Sequence, residues 1–183
     1  MSAKILSTGS YIPKTKVTNF DLEKIMDTND AWIQQRTGIA SRYFEDTSSV
    51  HMALEASKKA LEGIDKESID CILVGTYTPD DLIPTVASSV RHHLGIEASI
   101  PAFDINAACS GFLFTLHTAR AFIKSGIYKR ILVIGVDFNS RVLDFEDRST
   151  AILFGDAAGA VVLEHDETNA FDSIIHSISD KDA

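Results

Sequence analysis

The 183-residue chain has 45% hydrophobic side chains and a formal charge of −9. It can bury a core as a single domain, and its acidity disfavours nucleic acid and anionic membranes as main partners, because both require basic surfaces. Its longest apolar runs, residues 131–136 and 157–163, are too short to cross a bilayer, and residues 4–10 are too short and polar for a signal-peptide core. Two cysteines without a predicted pairing fit a reducing compartment, so we expect a cytoplasmic protein.

The first third of the chain predicts one strand followed by three helices. The strand is expected at residues 3–8, and Asn19 is expected to cap the first helix. The second helix is predicted from residue 30 to residue 36, with Gly38 just after its end. The third helix is expected to be capped within residues 47–49 and carries an apolar stripe from Met52 to Leu61 that ends near Gly63.

Trp32 and Arg36 stand four residues apart on the second predicted helix and therefore share one face. An aromatic ring beside a guanidinium can stack a base and hold a phosphate, the two tasks of a site for a nucleotide-bearing ligand. Such a pair is also common as a packed aromatic ring with a cation lying over it. The pattern leaves both interpretations open.

Two near-continuous apolar runs, residues 69–75 and 130–137, are typical of parallel strands buried on both faces. Cys71 lies inside the first run, where nothing nearby would activate a thiol, and we interpret it as structural. A turn and a strand are expected over residues 148–163, and a last strand at 174–178. Strands of this kind predict a largely parallel sheet.

Helices are predicted between these strands. One begins at Ile83-Pro84, and Gly95 follows its end. It carries His92 and His93, which point in different directions and so do not form a chelating pair; no metal site is predicted. The alternation of strands and helices indicates an α/β fold with helices on both faces of the sheet.

Cys109 is the residue around which the rest is organised. Residues 101–107 lead into a group of small residues, and from Phe112 apolar positions recur at helical spacing. Strand, tight turn and helix place Cys109 just before a helix N-terminus, where unpaired N–H groups and the helix dipole favour a thiolate. Gly111 and the neighbouring alanines leave room for a thioester, as acyl transfer requires. A small buried hydrophobe is the alternative interpretation of a lone cysteine.

Three separated stretches resemble the N-terminal half of the β-ketoacyl-ACP synthase III family, thiolase-fold enzymes that start bacterial fatty acid synthesis. They are WIQQRTGI at 32–39, DINAACSGF at 104–112 and RSTAILFGDAAGAVVL at 148–163. The resemblance covers essentially the whole chain in the right order. It implies one thiolase-like α/β domain over residues 1–183, with a mixed, mainly parallel sheet between helices.

The resemblance also implies an activity. Cys109 is acylated by an acyl-CoA primer and then condenses with malonyl-ACP, releasing CoA and carbon dioxide. Ile83 matches the family position that borders the acyl pocket across a homodimer interface. At that interface residues 102–105 are expected to pair with the same strand of the second subunit. Acyl-CoA is a substrate, and neither a permanently bound cofactor nor a metal is implied.

A binding site for CoA follows from the same likeness. Its expected residues are Trp32 and Arg148 on either side of the adenine, Thr28 against the base, and Arg36 and Thr37 at the phosphate-bearing part.

The catalytic His and Asn of the family belong to a second α/β half, and this sequence contains neither in a matching motif. We therefore expect the 183 residues alone not to condense at a useful rate. Two alternatives stay open. One is a related CoA-dependent condensing enzyme of the polyketide or hydroxymethylglutaryl-CoA synthase type, and the other is a non-catalytic half that partners another subunit.

Overall fold

The computed structural model describes residues 2–168 and 173–178. Within these residues strands and helices alternate along most of the chain, with short 3₁₀ turns in some of the loops. In chain order the elements are β1 Ser2–Tyr11, β2 Thr15–Thr18, α1 Asn19–Leu22, α2 Asp30–Thr37, β3 Ser41–Phe44, α3 Ser49–Ala60, β4 Cys71–Gly75, α4 Val86–Leu94, β5 Ala102–Ile105, α5 Gly111–Lys124, β6 Arg130–Asp137, α6 Arg148–Ala151 and β7 Ala157–Asp166.

Five strands of the described chain form one sheet in the order β1-β7-β6-β4-β5. β4 pairs in parallel with both β5 and β6, whereas β7 is antiparallel to β6 and to β1. β7 therefore runs against the other four strands, and the sheet is mixed and mainly parallel, as predicted. β5 is an edge strand, whose outer side pairs with no other described strand.

Helices cover both faces of this sheet, because successive side chains of a strand point to opposite sides. On one face Ile72 and Val74 belong to the larger hydrophobic core, which includes α3 and α4. On the other face Leu73 packs with Ile123 of α5. Cys71 belongs to this second core, and burial raises the pKa of its thiol to about 12. This environment agrees with a structural role for Cys71.

A small hairpin-like sheet, which the sequence does not predict, lies beside the main one. β2 and β3 pair antiparallel from Thr15 opposite Phe44 to Thr18 opposite Ser41, and α1 and α2 lie between them in the chain. A third cluster of buried side chains, Leu22, Ile33 and Ile152, joins these helices to the end of α6. This unit places α2 next to α6.

α4 begins later than the sequence predicts. The expected start at Ile83-Pro84 is wrong, because the helix begins at Val86 after the N-cap Thr85. The carboxylate of Asp104 accepts hydrogen bonds from the N–H of Val86 and of the next residue, at 2.9 and 2.8 Å. The helix starts where these acceptors satisfy its free N–H groups.

Two further predictions are wrong. Thr18, not Asn19, caps α1 by forming a reciprocal capping box with Asp21, and Asn19 is fully buried. The strand expected at 174–178 is absent, since residues 173–178 have no regular secondary structure. Ile174 and Ile178 are 81% and 95% exposed, so they lack the packing that would hold a strand.

Candidate active site

Cys109 lies in a sharp turn between β5 and α5. Residues Ala108–Ser110 form one 3₁₀ turn, and α5 starts at the next residue. Ala108 has a positive φ of 46°, which is uncommon for a residue with a side chain. The side-chain oxygen of Asn106 accepts the N–H of Ala108 at 3.1 Å. The turn leaves Cys109 exposed at the N-terminus of a 14-residue helix, as predicted.

Close approach of backbone to backbone fixes this turn on the sheet. Gly75, Gly135 and Gly159 are direct neighbours across β4, β6 and β7. A Cβ on Gly75 would lie 2.6 Å from the carbonyl carbon of Gly111, and one on Gly135 would lie 3.1 Å from Phe112. The first turn of α5 therefore rests directly on the carboxyl ends of β4 and β6, which is where ligands bind in sheets of this kind.

A cavity of about 450 Å³ opens beside Cys109. Most of its lining is small or apolar, with two polar side chains near the end of β6. The lining residues are Gly75, Ala108, Cys109, Phe112, Gly135, Val136, Asp137, Asn139, Gly155, Ala157, Ala158 and Gly159. A thiol beside an apolar cavity can accept an acyl group and shelter its chain.

A hydrogen-bond network supports the part of the cavity wall that Asp137 and Asn139 form. Asp137 accepts the N–H of Tyr77 at 3.0 Å and the hydroxyls of Thr76 and Thr78 at 3.3 and 3.2 Å. Burial raises the pKa of the Asp137 carboxyl, although these hydrogen bonds favour its charged form. The network fixes the segment after β4 against the end of β6.

Tyr77 and Asn139 extend this network. The Tyr77 hydroxyl donates to the side-chain oxygen of Asn139, and the Asn139 amide donates to the carbonyl of Gly155 at 2.7 Å. Burial raises the pKa of Tyr77, and the negative charge of Asp137 adds to the effect. Asn139 is therefore held between two partners with its side chain in the cavity lining.

Trp32 stands at a second candidate site with two arginines. The guanidinium carbon of Arg36 lies 4.8 Å from the centroid of the Trp32 ring, and that of Arg148 lies 5.0 Å from it. Arg148 also donates to the carbonyl oxygen of Asp27 at 2.7 Å. The structure thus brings together three of the residues that the sequence assigns to CoA, although Arg148 comes from a distant part of the chain.

The other predicted site residues have different surroundings. The hydroxyl of Thr28 is buried without a hydrogen-bond partner among the described residues. The hydroxyl of Thr37 donates to the carbonyl of Ile33 at 2.7 Å and accepts the N–H of Ile39 at 3.0 Å, at the end of α2. Ile83 is 89% exposed and does not line the Cys109 cavity of its own chain. Its assignment to an acyl pocket stays a prediction.

Comparison with known proteins finds one enzyme family repeatedly. A family model described as 3-oxoacyl-[acyl-carrier-protein (ACP)] synthase III matches residues 103–182, which include Cys109 and Arg148. The chain is also 50% identical over 169 residues to β-ketoacyl-[acyl-carrier-protein] synthase III of Koribacter versatilis, covering 90% of this chain and 50% of that protein. The chain is thus similar to 3-oxoacyl-ACP synthase III over most of its length. Synthase III 1 of Bacillus anthracis is 51% identical over 167 residues, covering 89% of this chain and 54% of the relative.

Solved synthase III structures share the fold. The enzyme from Aquifex aeolicus VF5 aligns with a TM-score of 0.87 at 48% identity, covering 90% of this chain and 54% of that one. The enzyme from Pseudomonas aeruginosa PAO1 aligns at 0.86 and 39% identity, covering 91% and 53%. The predicted thiolase-like α/β fold is confirmed. The chain spans about half the length of the relatives it matches.

Sequence reasoning missed two residues that line the cavity, Asp137 and Asn139, and one that supports them, Tyr77. Tyr77, Asp137 and Asn139 follow or end the strands β4 and β6, and the sequence predicts only loops or a strand end there. Their one available signal is this position at the carboxyl ends of neighbouring strands. In the described part of the chain no helix is long and apolar enough to cross a bilayer, and no group of three or more His, Cys, Asp or Glu side chains is placed to hold a metal.

Proposed function

We propose that this chain carries the acyl-accepting site of a β-ketoacyl-ACP synthase III, in which an acyl-CoA primer acylates Cys109. The observation that carries the proposal is the exposed Cys109 thiol at the start of α5, directly beside a cavity of small and apolar residues. In the complete reaction the acyl-enzyme condenses with malonyl-ACP, loses carbon dioxide and gives a 3-oxoacyl-ACP. That product initiates fatty acid synthesis.

The acylation step needs only groups near the turn. The Cys109 sulfur attacks the thioester carbonyl, a new C–S bond forms, the C–S bond to CoA breaks, and the cysteine proton leaves with the CoA thiol. The first N–H groups of α5 have no partner inside the helix, so they favour the thiolate and the oxyanion of the intermediate. Gly111 is buried and faces Gly75 of β4, so it serves the packing of α5 on the sheet rather than the approach of the thioester.

Trp32 and its two arginines are the proposed binding site for CoA. The adenine stacks on Trp32, Arg148 covers its other side, and Thr28 offers its unpartnered hydroxyl to the base. A ring between Trp32 and Arg148 needs about 7 Å, or about 3.5 Å on each side, so Arg148 moves outward when the base enters. Arg36 and the adjacent Thr37 then meet the phosphate-bearing part.

Condensation places a further demand on the site, because the malonyl thioester has to be activated for loss of carbon dioxide. In the described part of the chain, the cavity beside Cys109 contains Asp137 and Asn139 but no histidine. We propose that these 183 residues accept an acyl group and do not condense it at a useful rate by themselves. No permanently bound cofactor enters this scheme.

The assembly completes the proposal. Strand β5 presents an outer edge on which a second copy of the chain can add its own β5. Such a homodimer would bring the exposed Ile83 of one copy toward the acyl pocket of the other. With acyl-CoA and malonyl-ACP as substrates, we place the protein in the cytoplasm.

Intact mass spectrometry with acetyl-CoA and a branched acyl-CoA tests both steps. We expect a gain of one acyl group that Cys109→Ala abolishes, and no 3-oxoacyl-ACP after malonyl-ACP is added. Absence of the gain in a chain shown to be folded by circular dichroism would overturn the acyl-acceptor proposal and favour a non-catalytic partner. Formation of 3-oxoacyl-ACP would overturn the proposed inactivity in condensation.

A further inference from the structure

Arg42 is a buried arginine whose partners are all uncharged. Its side chain lies in β3 and is 5% exposed. One terminal nitrogen donates to the Asn19 side-chain oxygen at 2.9 Å and the other to the carbonyl of Ile152 at 2.8 Å. Burial lowers its pKa, with no compensating carboxylate among the described residues. A buried charge without a countercharge is costly, so this position needs a reason beyond packing.

The first partner connects Arg42 to both ends of α2. The Asn19 amide nitrogen donates to the side chain of Asp30 at 2.9 Å and to the carbonyl of Ile39 at 2.7 Å. Asp30 is the first residue of α2, and Ile39 follows its C-cap, Gly38. Asn19 thus holds the helix that carries Trp32 at its beginning and just after its end.

The second partner connects Arg42 to α6. Ile152 is the C-cap of this four-residue helix, whose first residue is Arg148. The Ile152 side chain is buried against Ile33 of α2 in the same small cluster. One guanidinium therefore joins the helix of Trp32 to the helix of Arg148, between which the 5.0 Å ring contact lies.

We propose that Arg42 is a positioning residue for the CoA site, which sets the separation of Trp32 and Arg148 by bridging Asn19 and Ile152. It touches no substrate. This inference rests on the proposed function, because it assigns the Trp32 and Arg148 pair to CoA. The planar fork of a guanidinium suits the task, since its two terminal nitrogens reach two acceptors in fixed directions, whereas a lysine ammonium is a point charge on a flexible stem.

The test in the ligand-free protein uses Trp32, the single tryptophan of the chain. Its emission and its quenching by acrylamide are compared in the wild type, Arg42→Gln and Arg42→Lys. Arg148→Ala provides the reference emission and quenching of a Trp32 ring that Arg148 does not contact. Arg130→Gln is the matched control, because Arg130 bonds Ser68 and Glu164, outside the Trp32 cluster. We expect Arg42→Gln to resemble Arg148→Ala, Arg42→Lys to lie between, and Arg130→Gln to match the wild type.

The second arm measures CoA binding by titration of the same fluorescence. We expect the Kd of Arg42→Gln to rise by up to about fivefold, as for the loss of the Arg148 contact that Arg42 is proposed to position. Alkylation of Cys109 by iodoacetamide should stay within about twofold of the wild-type rate, which separates positioning of the CoA site from general loss of structure. Melting followed by circular dichroism checks each variant, and Arg42→Lys carries the test if Arg42→Gln does not fold.

The outcomes separate the two proposals. Unchanged Trp32 signals and CoA affinity in folded Arg42 variants would overturn the positioning role. An equal loss of CoA affinity in Arg130→Gln would overturn it too, because the effect would then be one of stability. If the wild type shows no response to CoA while Arg42→Gln still changes the Trp32 signal, Arg42 positions the pair but the proposed CoA site is wrong.

Discussion

The guanidinium carbon of Arg148 lies 5.0 Å from the centroid of the Trp32 ring, although the two residues belong to different helices. In the ligand-free chain Arg148 occupies the side of the ring that the adenine would take. In the proposed complex, binding of CoA would exchange this cation–π contact for a base stacked between ring and guanidinium. In the proposed site Arg148 therefore has to move before a base can stack on this side of the ring.

Arg148→Ala tests that contact. In the proposed complex the guanidinium covers the adenine in a desolvated contact of about 2 kcal/mol, about 1 kcal/mol more than its exposed contact with Trp32 in the free chain. Loss of the guanidinium should therefore lower CoA affinity about fivefold. Titration with CoA, followed by Trp32 fluorescence, measures the affinity. Arg91→Ala is the control, because Arg91 bonds Ala98 beside α4. Equal affinities in the wild type and Arg148→Ala would show that Arg148 takes no part in binding.

Asn139→Ala is expected to change the preference for the primer. The Asn139 amide lines the Cys109 cavity and is held there by Tyr77 and Gly155. Removal of the amide enlarges the cavity and makes its wall less polar. The rate of Cys109 acylation by longer acyl groups should therefore rise relative to the rate with acetyl, by up to about fourfold per methylene. The ratio of Cys109 acylation rates with hexanoyl-CoA and acetyl-CoA is the measurement. A ratio equal to that of the wild type would contradict the assignment of Asn139 to the acyl wall.

The buried carboxyl of Asp137 makes stability depend on pH. Burial raises its folded-state pKa above the ordinary 3.8, so the native state keeps a proton over a pH range in which the unfolded chain has lost it. Its contribution to the free energy of unfolding therefore decreases as pH rises from below 3.8 through the raised value. Asp137→Asn keeps the acceptor oxygen and removes this titration.

Urea unfolding of the wild type and of Asp137→Asn between about pH 3.5 and pH 6.5 measures this effect. We expect the wild type to lose stability relative to the variant as pH rises. A difference that is constant with pH, or one that grows in favour of the wild type, would show that the carboxyl is not held in its neutral form.

Gly9→Ala tests the packing of β1 on α3. A Cβ at this position would lie 2.2 Å from the carbonyl oxygen of Ala56 and 2.4 Å from the nitrogen of Ala60. Overpacking against backbone should lower the free energy of unfolding by about 1–3 kcal/mol. Gly159→Ala is the control, because Gly159 pairs with Ser10 on the neighbouring strand and a Cβ there meets no atom within 4 Å. Equal free energies of unfolding for the two variants would show that α3 can shift away from β1 at little cost.

The sequence predicts the parts of this structure that depend on local patterns. Cys109 lies where it is expected, because an apolar run, small residues and a helical period follow one another without interruption. Strands β4 and β6 are equally clear, since both are continuous apolar runs. Asn19 shows the limit of such reasoning: its residue type suits an N-cap, but tertiary contacts bury it and Thr18 takes the cap.

Other features depend on contacts between distant residues and leave no local signal. The pairing of β2 with β3 joins two four-residue strands across two helices. The Tyr77–Asn139 hydrogen bond joins residues 62 positions apart. The hydrogen bond from Arg42 to Ile152 spans 110 positions. Such contacts become visible only once the sheet order is known.

The most direct test of the central claim is where an acyl group is attached after incubation with acetyl-CoA. Peptide mapping can compare exposed Cys109 with buried Cys71 in the same chain, and hydroxylamine identifies a thioester by removing it. We predict a hydroxylamine-labile acetyl group on the Cys109 peptide and none on the Cys71 peptide. An unmodified Cys109 in the folded chain, or an acetyl group shared equally by both cysteines, would contradict the assignment of Cys109 as the acyl acceptor.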